Sequence, residues 1–150
     1  GGNAIAVNCA GYVPFAMMAS KDNSFRYEME IIVPADSTIK TPADLKGHKV
    51  AFTDATSNSG FKAPSAILKA EFNLEAKRDF EPVFSGKHDN SILGVVNKDY
   101  EAAAVANSVL NRMIDRKVFD PARIRSIYKS ESFPSAALGY TLSRLRRCCG

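Results

Sequence analysis

Three times in this chain an apolar run ends in a short polar turn and passes straight into a helix-patterned segment, and this repetition limits the fold more than any other feature. The first run, Val50-Ala51-Phe52-Thr53-Asp54, turns through Ala55-Thr56-Ser57-Asn58-Ser59-Gly60 into a helix expected over 61–72. The second, Phe80-Glu81-Pro82-Val83-Phe84, turns at Ser85-Gly86-Lys87, and His88-Asp89-Asn90-Ser91 opens a helix reaching Val96. The third, Glu101-Ala102-Ala103-Ala104-Val105, is followed by Asn107-Ser108 and a helix to about Arg116. Strands alternating with helices in this way specify an α/β fold built on a parallel sheet. In such a sheet every strand-to-helix turn lies at the carboxyl ends of the strands, where open α/β folds bind ligands.

The chemistry of the turns narrows the ligand. A helix start leaves backbone N–H groups unpaired and carries partial positive charge. Ser57, Asn58 and Ser59, with Thr56 beside them, either cap those groups or aim hydroxyls and amides at something bound in front. Gly60, lacking a Cβ, lets a ligand or the backbone come close. Each turn taken alone fits an ordinary capped helix. Three such ends on one sheet edge favour a small anion.

At 150 residues, one ordinary domain with a real core is expected. Apolar content of 45% and charged content of 24% are those of a globular chain. No apolar run approaches the roughly eighteen residues of a membrane span, and no signal peptide is found in this chain. The net charge of +4 owes three charges to Arg144, Arg146 and Arg147 in the tail, so no nucleic-acid surface is implied. Cys9, Cys148 and Cys149 are too few for a disulfide framework and badly spaced for zinc.

Around the central region, residues 4–19 are mostly apolar, with Gly11-Tyr12-Val13-Pro14 read as a turn and Lys21-Asp22-Asn23-Ser24 as a polar turn. Tyr27 to Val33 alternates as a strand. Thr41 caps a short helix with Pro42 at its first position, and Gly47 stops it. Ile124-Arg125-Ser126-Ile127-Tyr128 is a fourth strand of the central region, broken by Ser132-Phe133-Pro134-Ser135, and residues 136–140 are small and apolar.

Thr41-Pro42-Ala43-Asp44-Leu45-Lys46-Gly47, followed by Val50-Ala51-Phe52-Thr53-Asp54, resembles a run shared widely by type 2 periplasmic binding proteins. Ser57-Asn58-Ser59-Gly60-Phe61, Pro64, Gly86-Lys87-His88-Asp89-Asn90-Ser91 and Ala102-Ala103-Ala104-Val105 resemble the narrower group of phosphonate- and phosphite-binding proteins of ABC importers. The resemblance covers residues 4–140. It implies a periplasmic-binding-protein-like fold of type II, two lobes that close on a tetrahedral phosphorus oxyanion and deliver it to a membrane permease. Such proteins are typically about twice this length. The chain is therefore expected to be a fragment: 1–43 part of a first lobe and crossover, 44–131 an essentially complete three-layer α/β lobe, and 132–150 a return crossover with an atypical tail. The resemblance also implies a monomer, periplasmic or held at the cell surface as a lipoprotein, without cofactor.

Carried over residue by residue, the resemblance puts Ser57, Asn58 and Ser59 on the phosphonate oxygens. His88 donates to another oxygen, with added charge if protonated; its other reading is a structural histidine. Asp89 is expected to cap its helix or orient His88. Asn90 and Ser91 reach the ligand through backbone N–H groups, and Lys87 is a steering or merely solvated charge. Tyr12 supplies a first-lobe contact. Asn107, an amide near a place where relatives that take aminoalkylphosphonates offer a carboxylate, points to a ligand without an amine; Glu101 would supply the missing charge only if it stood at the strand's far end. An effector-binding domain of a regulator shares the fold, but no helix-turn-helix precedes it here. An enzyme handling phosphate esters would need an activated nucleophile and an oriented base, and neighbours such as His88 and Asp89 are badly placed for that relay. Neither a phosphate-binding Gly-rich loop with Lys-Ser/Thr nor a metal-spaced cluster is present.

Overall fold

A computed structural model of the chain describes residues 12–17, 19, 26–134 and 137–141. The polar turn expected at 21–24, the tail beyond 141 and the three cysteines lie outside the described residues. The chain divides into two compact units, one of Gly1–Tyr27 with Phe133–Gly150, the other Glu28–Ser132.

The larger unit is a five-stranded sheet flanked by helices. Its strands are β3 (Met29–Pro34), β4 (Lys49–Phe52), β5 (Glu81–Phe84), β6 (Ala102–Ala106) and β7 (Ile124–Lys129), in the order β5-β4-β6-β3-β7. The helices are α1 (Ala63–Phe72), α2 (His88–Val96) and α3 (Asn107–Asp115). β4 runs parallel to β5 and β6, as the strand-turn-helix repeats require. β3 is antiparallel to both of its neighbours, so the sheet is mixed rather than wholly parallel. This unit starts at Glu28, ahead of the expected 44, because β3 is wholly buried in the sheet between β6 and β7.

Side chains alternate across the sheet. Ile32, Ala51, Ala103 and Val105 pack with Ile92 and Val95 of α2 and Leu110 and Met113 of α3. Val50, Phe52, Ile31 and Val33 are also fully buried, and alternation turns them to the other face. There Phe72 of α1 stacks edge-on against Tyr128 of β7. β6 is alanine throughout but for Val105, and all of it is buried, so helices on both faces can approach closely. Glu30 is a buried exception in β3, paired with Lys129 at 3.3 Å.

Local signals account for the element ends. Before the short 3-10 turn Pro42–Leu45, the Asp44 carboxylate accepts the N–H groups of Lys40 and Thr41 and the Thr41 hydroxyl. Asn73, with φ of 53°, ends α1. The start of α1 differs from the expected 61: a π-turn over Asn58–Lys62 precedes it.

In the smaller unit, β1 (Tyr12–Met17) pairs antiparallel with β9 (Ala137–Thr141), and β2 (Arg26–Tyr27) with β8 (Phe133–Pro134). Of the turn expected at 11–14, Gly11 lies outside the described residues, and Tyr12 to Pro14 are instead the start of a strand. Pro14 is accommodated because the register shifts between Pro14 and Ala16, and a two-stranded ribbon leaves edges where proline's missing donor is tolerated. Among the described residues no helix is long and apolar enough to cross a membrane.

Candidate functional site

The carboxyl ends of β4, β5 and β6 lie side by side, and their connections diverge. β4 leads to α1 on one face of the sheet, while β5 and β6 lead to α2 and α3 on the other. This is the topological switch at which an open α/β sheet presents a crevice. Backbone bonds stitch the turns together: Ser85 N–H donates to Phe52 O and Gly86 N–H to Thr53 O, both at 2.8 Å. Gly86 makes this possible with φ of +82°, a conformation that side chains disfavour.

In the first turn, Ser57 Oγ accepts the Gly60 N–H at 3.0 Å, so Ser57 caps the π-turn that leads into α1 and keeps its own proton to donate. Thr56 spends both its N–H and its hydroxyl on Asp54, whose carboxyl they hold below the usual carboxylate range. Ser59 is buried; Asn58 lies on the π-turn backbone beside it. Gly60 meets the protein itself: a Cβ there would stand 1.8 Å from Thr53 Oγ1 and 2.8 Å from Ser57 Oγ. Gly60→Ala is therefore expected to cost about 1–3 kcal/mol through overpacking, read from urea unfolding. A variant as stable as the parent would show that the turn yields freely.

The second turn is organised by Ser85 and His88. Ser85 Oγ contacts Ser91 Oγ at 2.6 Å and donates to Lys87 O at 3.0 Å, while Asn90 Nδ2 donates to Ser85 O at 3.0 Å. Ser91 N–H already serves Lys87 O at 3.1 Å, so it does not reach outward as expected. The N–H groups of His88, Asp89 and Asn90 precede that first intrahelical bond, and Lys87 at the cap makes no side-chain cap bond. Asp89 neither caps α2 nor orients His88; it faces Arg112 of α3 at 3.4 Å.

His88 Nδ1 accepts the backbone N–H of Ala106 at 3.2 Å. A backbone amide can only donate, so the neutral ring carries its proton on Nε2. Burial lowers the pKa of His88 from 6.5, opposed by Asp89 and helped by Arg112. Of the two protonation states left open by the sequence, this bond favours the neutral ring with its proton on Nε2.

The third turn is held by Asn107. Its Oδ1 accepts Glu28 N–H at 3.0 Å and its N–H donates to Glu28 O at 2.9 Å, leaving Nδ2 without a partner among the described residues. None of the three helices has a side-chain cap bond; Ser57 serves the π-turn ahead of α1, and α3 follows Ala106 directly. Glu101 stands at the opposite ends of these strands, bonded to Lys49 N–H at 2.7 Å and His48 Nδ1 at 3.0 Å. It lines a shallow depression of about 230 Å³ with Asp36, His48 and Lys98, far from the turns in each strand's length. Tyr12 belongs to the smaller unit, where its hydroxyl donates to Ala137 O at 3.0 Å. No group of three or more potential metal-binding side chains occurs among the described residues.

A family model described as "ABC transporter, phosphonate, periplasmic substrate-binding protein" matches residues 1–145. The chain belongs to this family. Among relatives, the phosphate-import protein PhnD of Mycolicibacterium smegmatis is 28% identical over 134 residues, 83% of this chain and 42% of that protein. A binding protein component of an ABC phosphonate transporter from Pseudomonas aeruginosa shares the fold at TM-score 0.77 and 23% identity, over 88% of this chain and 45% of that one. PhnD1 of Prochlorococcus marinus, solved with methylphosphonate, does so at TM-score 0.73 and 17% identity, over 91% and 52%. The chain therefore spans about half the length of the relatives it matches. These phosphonate-family relatives are type 2 periplasmic binding proteins of transporters rather than enzymes.

Within this phosphonate-binding family member, three residues escaped the sequence reading. Ser85 ties the second turn to Ser91, the Ala106 N–H fixes His88, and Thr53 packs on Gly60. Thr53 alone left a sequence signal, as a hydroxyl directly after an apolar strand.

Proposed function

We propose that the chain is part of the ligand-binding apparatus of an ABC-importer solute-binding protein, taking a small phosphorus oxyanion at the carboxyl ends of β4, β5 and β6. The observation that carries this is the His88–Ala106 bond, which leaves the ring proton on Nε2 of the residue that opens α2, whose first N–H groups have no intrahelical partner. Ser57, with its proton free, and Asn107 Nδ2 complete a set of donors suited to oxygen atoms. Backbone N–H groups at Asn58 and Ser59 extend it, while Thr56, Gly60 and Ser91 act on the protein itself. The full-length protein hands its ligand to a membrane permease and works as a monomer in the periplasm, with no nucleic-acid partner.

The ligand has no amine. Asn107 spends its carbonyl on Glu28, and Glu101 is at the wrong strand ends to receive an ammonium. Burying that cation without a carboxylate is costly. Methylphosphonate, phosphite, phosphate and 2-aminoethylphosphonate titrated into the 150-residue chain test the reading by NMR. Dissociation constants on the order of millimolar are expected, about −4 kcal/mol, with methylphosphonate or phosphite ahead of the amine. If 2-aminoethylphosphonate wins by about tenfold, roughly 1.4 kcal/mol, the amine-free assignment fails. If none of the four shifts residues of the three turns, the oxyanion site fails.

A further inference from the structure

We propose that Thr53 is a positioning residue of the oxyanion site, its hydroxyl bracing Ser57 Oγ so that the Ser57 proton is aimed at the bound oxyanion. This rests on the reading that a phosphorus oxyanion occupies the first turn. Thr53 is the residue directly after β4 and is 3% exposed, yet its Oγ1 has no hydrogen-bond partner among the described residues. A buried hydroxyl in that condition is costly, and valine would fill the same place without it. The other such hydroxyl among the described residues, Ser65, lies in the first turn of α1, on the same segment.

The unpartnered hydroxyl is aimed at the start of the helix. Thr53 Oγ1 and Ser57 Oγ crowd the same side of Gly60, 1.8 and 2.8 Å from where a Cβ would stand. The Thr53 N–H donates to Gly60 O at 3.1 Å, which holds the backbones of the two residues together. Ser57 Oγ uses one lone pair for Gly60 N–H, keeping a second lone pair and its proton. When an oxyanion draws the Ser57 proton outward, the serine oxygen becomes a better acceptor, and the Thr53 hydroxyl is the donor beside it. The bond is made in the liganded state and missing in the free one, so it favours binding without contributing to folding.

Thr53→Val, Thr53→Ser, Ser57→Ala and the Thr53→Val/Ser57→Ala double variant test this, with methylphosphonate titration followed by NMR and thermal melting of the free 150-residue chain. Thr53→Val should melt at or above the parent temperature but bind about tenfold more weakly, and Thr53→Ser should keep parental binding. In the Ser57→Ala background, Thr53→Val should add no further loss. Parental affinity in Thr53→Val, a lowered melting temperature in that variant, or the same tenfold loss without Ser57 each overturn the relay. A parent chain that binds neither methylphosphonate nor phosphite overturns the oxyanion reading and this inference with it. A parent that binds, beside a Thr53→Val variant that binds equally, overturns this inference alone.

Discussion

Replacing Phe52 with alanine is expected to destabilise the larger unit by about 3–5 kcal/mol, out of the roughly 5–15 kcal/mol that holds a domain of this kind folded. Phe52 is fully buried at the last position of β4. Its ring meets Phe61 edge-on at 5.2 Å, Phe80 at 5.9 Å and Phe84 at 6.4 Å. Phe61 and Phe84 also touch each other at 5.2 Å, so the ring is the common partner of the π-turn, β5 and the segment leading into β5. Truncation removes the transfer free energy of the ring and leaves a cavity that three flanking aromatics cannot all collapse into. Phe52→Leu keeps most of the volume and should lose far less, under about 1.5 kcal/mol. Urea unfolding of both variants measures the difference. A loss below about 1 kcal/mol for the alanine variant would mean that this cluster is not the support of the first turn.

His88→Ala is expected to weaken methylphosphonate binding by about 1.5–3 kcal/mol, the worth of a hydrogen bond to a charged group, or roughly ten- to 150-fold. The Nε2–H is lost, and the Ala106 N–H loses its acceptor at the same time. His88→Gln restores an N–H donor that cannot take up a proton, and should recover part of the affinity. pH separates the neutral ring from an imidazolium. The folded-state pKa lies below 6.5 because burial opposes the charge, so the ring is neutral at pH 7. Once the ligand's own ionisation is followed by phosphorus NMR, affinity should stay level as pH rises above 6.5. An imidazolium donor would instead lose about tenfold per pH unit above its pKa. The sign for folding follows from the same direction. The unfolded chain takes up the proton more readily, so acidification below 6.5 removes stability. Affinity that falls steeply between pH 6.5 and 8 would sink the neutral-donor assignment.

Much of this architecture is local, and local structure is legible in residue order. The helix starts at His88 and Asn107, the strand-turn-helix succession and the short Pro42–Leu45 turn follow from apolar periodicity, proline at a first position and polar turns. The motif runs around Ser57 and His88 likewise pointed to the family that residues 1–145 match. What residue order could not supply are pairings between distant segments, because no period or spacing marks them. β3 enters the sheet antiparallel between β6 and β7, although its own pattern fits either direction. Pro14 reads as a turn until Ala137–Thr141 arrives beside it and makes its segment a strand. The same holds within the site. Asn107 reads as a helix opener, but its side chain serves Glu28, 79 positions away. The chemistry of His88 was open to two protonation states in the sequence, and one backbone N–H, 18 residues on, decides between them. A side chain's partners are set by where the sheet brings other strands' ends, and only the folded chain holds that information.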